Sequence, residues 1–104
     1  YLLDPHTAVA SHVLAEYREN TGDHTPTVIV ATASPYKFPE DVLGALLGRE
    51  ATQGLSVFEC ARKLQQHTGV PVPRQIAELQ ALPVRHKTVC EKAGMEAALL
   101  TELS

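Results

Sequence analysis

The sequence predicts an α/β segment that is mostly helical, with about five helices and one buried strand of the parallel type at about residues 27–31. Three observations lead there. Thr27 to Ala31 is β-branched and apolar on both faces, as strands buried in parallel sheets are. Helix start and stop signals recur along the rest of the chain. No second strand is legible, so the backbone N–H and C=O groups of the first need partners from elsewhere. The fold therefore reads as part of something larger, and the opening phrase YLLDPH, without a Met, reads as a cut within a longer protein.

Asp4 and Pro5 start the first helix: Asp4 can cap it, and Pro5 suits a first-turn position where its missing N–H costs nothing. Ala8, Val9, His12, Val13, Ala15 and Tyr17 follow at helical spacing, and Asn20 to Gly22 stop the helix. After a loop at Asp23 to Pro26 comes the strand, and then the small and hydroxyl residues Ala31, Thr32, Ala33 and Ser34. The second helix opens near Phe38, with Pro39, Glu40 and Asp41 in its first turn, where acids meet the positive end of the helix dipole. Val42, Leu43, Leu46 and Leu47 are its apolar residues, and Gly48 ends it.

Ser56-Val57-Phe58-Glu59 is a capping box. Val57, Ala61 and Leu64 carry that helix to His67, and Gly69 closes it. Val70 to Pro73 is a connector, and Pro73 starts a short helix through Ile76 and Leu79. Thr88-Val89-Cys90-Glu91 is a second capping box, with a last helix to about Leu103 and a stripe of Val89, Ala93, Ala97 and Leu100.

The composition is that of a globular chain: 104 residues, 44% hydrophobic and 20% charged. A net charge of −3 gives no basic footprint for nucleic acid. No apolar run approaches the roughly 20 residues that span a bilayer, so no membrane is expected. No charged-then-apolar leader is visible, so the expected location is cytoplasmic, with Cys60 and Cys90 as reduced helix residues.

The strand end has the first claim to function, because open parallel sheets bind ligands outside the carboxyl ends of their strands. Thr32 offers a neutral hydroxyl that can donate or accept there, or satisfy local backbone in a turn. Ser34 sits beside it, and Lys37 could meet an anion. Asp4-Pro5-His6-Thr7 is either a helix cap with a satisfied histidine or part of a pocket wall. The five histidines form no i, i+4 pair with acidic support, so no metal is expected. Arg85-His86-Lys87 reads as a solvated linker or an anion contact.

Three of these phrases resemble one family. LLDPHTAVA (Leu2 to Ala10), VIVATASPYKFP (Val28 to Pro39) and PVRHKTVCEK (Pro83 to Lys92) are similar, in order and spacing, to the C-terminal part of threonine synthase. The resemblance implies a fold type II pyridoxal-phosphate enzyme that converts O-phosphohomoserine and water to threonine and phosphate. It implies one C-terminal segment over residues 1–104, with 1–47 in the cofactor-binding domain and 48–104 as a helical extension. Carried over by motif, Thr32 faces the pyridine nitrogen of the cofactor, and Ser34, Lys37 and His6 are possible pocket-wall residues.

The lysine that carries the cofactor and the glycine-rich phosphate cup match nothing here. The segment is therefore expected to hold no catalytic residue and to be silent alone. Ser34 stands where many members have His, and Tyr36 where many have Ala. A second reading makes the chain a small non-enzymatic interaction module whose strand completes a partner's sheet. Either way, an unpaired strand edge implies that the isolated chain self-associates.

Overall fold

In the computed structural model, which covers residues 1–104, all the regular structure is helical. Five α-helices follow one another: α1 Pro5–Thr21, α2 Pro39–Leu47, α3 Val57–Thr68, α4 Arg74–Leu79 and α5 Met95–Glu102. Short 3-10 turns at Pro35–Lys37, Arg49–Thr52 and Lys92–Gly94 lead into or out of them.

The punctuation in the sequence explains most of the helix ends. Asp4 caps α1 by accepting from the backbone N–H groups of His6 and Thr7. Gly22 closes α1 in the left-handed conformation at φ 68°, which glycine adopts without steric cost. α2 has Pro39 at its start, Glu40 and Asp41 in its first turn, and Gly48 at its end. The Ser56–Glu59 capping box is formed in both directions, and Gly69 closes α3 at φ 71°.

The expected buried strand is not formed. Residues 27–31 belong to no strand, and no backbone–backbone hydrogen bond involves them. Val28 and Val30 are 89% and 73% exposed. The physical reason is the missing second strand: a β-strand exists through its ladder to a neighbour, and this chain has no neighbour to give. The local sequence still keeps the segment free of helix, as β-branched residues favour.

The second capping box is also not formed. Thr88 Oγ1 donates to Glu102 Oε1 (2.9 Å) instead, and α5 begins only at Met95, behind the 3-10 turn at Lys92–Gly94. The stripe expected there has nothing to pack on: Val89 is 93% exposed, and α5 buries no residue.

The core lies between α2 and α3. Val42 and Leu43 meet Cys60, Ala61 and Leu64, and Tyr36 joins them from the 3-10 turn before α2. Leu2, Leu55, Val70, Val72 and Ile76 pack around that cluster. Polar ties hold the later elements on it. Lys63 Nζ donates to Ala51 O (2.9 Å), Val72 N to Gln65 Oε1 (2.7 Å), and Arg62 to Gln80 Oε1 (3.1 Å).

This core is small for the chain. Nine of 104 residues are buried, and the accessible surface is 8421 Å². A compact chain of this 11.3 kDa mass would expose about 5,700 Å², so roughly 2,700 Å² is in excess. The radius of gyration, 18.5 Å, exceeds the roughly 13 Å of a compact chain of this length. The apolar faces of α1 and α5 account for part of it: Val9, Val13, Tyr17, Met95, Leu99 and Leu100 are all exposed.

Candidate functional site

The sequence candidates lie at the start of α1 and in the segment that runs back along it to α2. α1 has 17 residues and is therefore about 26 Å long. After Gly22 the chain turns, and Thr27 to Val30, which take no regular structure, lie back along α1. An open apolar groove of about 490 Å³ marks the seam, lined by Val13, Leu14 and Tyr17 of α1 and by Val28, Ile29 and Val30. The return carries Thr32 and Ser34 towards the N-terminus of α1, where His6 lies. The two ends meet: the His6 ring stands edge-on to Phe38, with centroids 5.3 Å apart and planes at 64°.

Thr32 is exposed, and its hydroxyl takes part in no hydrogen bond within the chain. Of the two readings open to it, the local turn bond is the one the geometry does not use. Ser34 uses it instead. Its Oγ accepts from Tyr36 N (3.2 Å) and caps the 3-10 turn, so its hydroxyl shapes the loop. Lys37 is exposed, and its backbone N–H closes the same turn on Ser34 O (3.0 Å).

Asp4 is the most constrained charged group. It is only 1% exposed. Its Oδ1 accepts from His6 N (3.0 Å), Thr7 N (3.3 Å) and His6 Nδ1 (3.1 Å), and its Oδ2 accepts from the Thr7 hydroxyl. The Thr7 hydroxyl bond, with the backbone bonds behind it, holds the Asp4 carboxyl below its ordinary value of 3.8 against the opposing cost of burial. The His6 side chain is 67% exposed, so one ring nitrogen is tied to Asp4 while the rest of the ring faces outward.

Tyr36 is the residue that reasoning from sequence undervalued. It is buried, and its hydroxyl donates to Val70 O (2.5 Å), tying the loop after Thr32 to the segment behind α3. Burial pushes its phenol up from the ordinary value. The signal was available: a tyrosine three residues before a helix-opening proline can reach inward across a short turn.

The remaining chemistry-bearing residues are dispersed. No three His, Cys, Asp or Glu side chains gather to hold a metal ion. Cys60 is a buried thiol pushed up by desolvation, and Cys90 is an exposed one. No helix is long and apolar enough to cross a membrane.

Comparison with known proteins adds an independent line. The sequence matches the family described as "Threonine synthase, C-terminal" over residues 7–99. It is 32% identical over 85 residues to a threonine synthase of Pseudomonas aeruginosa, an alignment that covers 82% of this chain and 17% of the relative. The chain thus spans about a sixth of that relative's length. No solved structure matches it.

Proposed function

Since this chain belongs to the threonine synthase C-terminal family, we propose that it serves as one wall of a longer enzyme that turns O-phosphohomoserine and water into threonine and phosphate. The observation that carries this reading is the family match across residues 7–99. The large excess of exposed surface supports it, because a wall needs a body to lie against. In this reading residues 1–47 belong to the cofactor-binding domain, 48–104 form a helical extension, and the enzyme works in the cytoplasm.

The cofactor of that reaction class is pyridoxal phosphate, which supplies an electron sink when bound. The residues here suit its ring end. Thr32 presents a neutral hydroxyl without an internal partner, which can donate to a pyridine nitrogen. A carboxylate in that position would hold the nitrogen protonated; a hydroxyl leaves it neutral. No glycine-rich loop offers a cradle for a phosphate, so that end of the cofactor belongs to other parts of the enzyme. Tyr36 and Ser34 hold the loop beyond Thr32 in shape, and His6 and Lys37 line its margin.

The test is to assay the longer polypeptide and the 104-residue chain side by side with O-phosphohomoserine. The expected outcome is threonine and phosphate from the former. The isolated chain should give neither product, nor a cofactor absorbance band that borohydride removes. A longer polypeptide that binds the cofactor but makes no threonine would overturn the reading.

A further inference from the structure

The tie between Asp4 and His6 has a chemical consequence. Asp4 is buried, and hydrogen bonds hold it on the ionised side, so its oxygens can only accept. A neutral His6 must then carry its proton on Nδ1, which points at Asp4 Oδ1 at 3.1 Å. That leaves Nε2 as a bare acceptor on a ring whose side chain is 67% exposed. The Phe38 ring at 5.3 Å restrains the imidazole from the side. An aimed acceptor therefore stands at the end of the hairpin to which the chain also returns Thr32.

From this geometry we infer that His6 Nε2 accepts a hydrogen bond from the water molecule that the reaction consumes, with Asp4 as its positioning residue. The inference rests on the function proposed above and adds to it the residue that handles the second substrate. A water whose O–H is held by Nε2 keeps its lone pairs for an electrophilic carbon. The other residues of this wall suit that task less well. Lys37 offers only donors, and Ser34 Oγ already accepts from Tyr36 N within its turn.

The test uses the longer enzyme and compares the threonine formed with the phosphate released. The wild type should give one threonine per phosphate. His6→Ala should slow water addition relative to escape of the unhydrated carbon skeleton by roughly threefold to tenfold for one lost hydrogen bond, so that phosphate exceeds threonine and the missing carbon and nitrogen are recovered as a 2-oxo acid and ammonia. Asp4→Asn keeps a helix cap and should uncouple the two products less. A purely structural role for His6 would lower both products together. Coupled products from an active His6→Ala enzyme would overturn the inference while leaving the proposed reaction standing. Absence of threonine from the wild type would overturn both. A nitrogen-15 spectrum of the wild-type protein supplies a readout without turnover. The Nδ1–H form of His6 is expected, and the Nε2–H form would overturn the inference whatever the activity.

Discussion

Thr32 and Asp4 illustrate opposite uses of a polar side chain. Thr32 keeps its hydroxyl free of the chain, so its value lies in what it meets. In the longer enzyme, Thr32→Ser should keep much of the activity, because the hydroxyl remains. Thr32→Val is nearly isosteric and should slow turnover roughly threefold to tenfold, the worth of one hydrogen bond. Unchanged turnover and cofactor spectrum in Thr32→Val would remove Thr32 from the site. Asp4 spends all its capacity inside the chain. Its folded-state pKa lies below the ordinary 3.8, so its contribution to stability is present above that value and is lost as pH falls through the depressed one. Acid titration of the folded protein should show stability declining below about pH 4. The decline should be shallower in Asp4→Asn, which still caps α1 but carries no charge. Equal slopes in the two proteins would show that other carboxylates govern the acid limb.

Among the elements, α3 has the best-defined local origin. Ser56 N donates to Glu59 Oε2 at 2.8 Å, and Glu59 N donates to Ser56 Oγ at 3.3 Å. This cap fixes the start of the helix that supplies Cys60, Ala61 and Leu64 to the core. Ser56→Ala should destabilise the fold by about 0.5–2 kcal/mol, read from the midpoint of denaturant unfolding. The Thr88 phrase follows the same pattern, a hydroxyl residue three positions before a glutamate, and forms no cap. The difference is packing. α3 has α2 to lie on, whereas the chain around Thr88 meets no such surface, and helix stability comes largely from an apolar face against a neighbour. Capping residues mark where a helix can begin. Whether it begins there depends on what lies beside it.

The whole molecule is extended, at 57 × 34 × 26 Å, with its apolar hairpin groove open. Roughly 2,700 Å² of excess surface exceeds the approximately 1,600 Å² of a standard protein interface. The isolated chain is therefore expected to self-associate through the unpaired edge at residues 27–31. Light scattering should give a mass that rises with concentration. Replacing the exposed Val28 and Val30 with lysine should return it to that of one chain, since charges blunt a free strand edge. A constant single-chain mass for the unaltered protein would count against this.

Local chemistry is what reading the residues in order recovered here. Asp4, Gly22, Gly48, Ser56 and Gly69 end or begin helices because caps and left-handed turns depend on groups within a few residues of each other. The phrases around His6 and Thr32 identified the family for the same reason: each is a short string whose meaning is carried by its own neighbours. Long-range relations belonged to the tertiary structure alone. It showed that Thr27 to Ala31 forms neither helix nor strand, because a ladder needs a second chain segment that these 104 residues lack. It turned Tyr36 into the core and Ser34 into a cap, while leaving Thr32 free. It also brought the ring of His6 against Phe38, 32 residues further along, a contact that depends on α1 and the returning segment being matched in length.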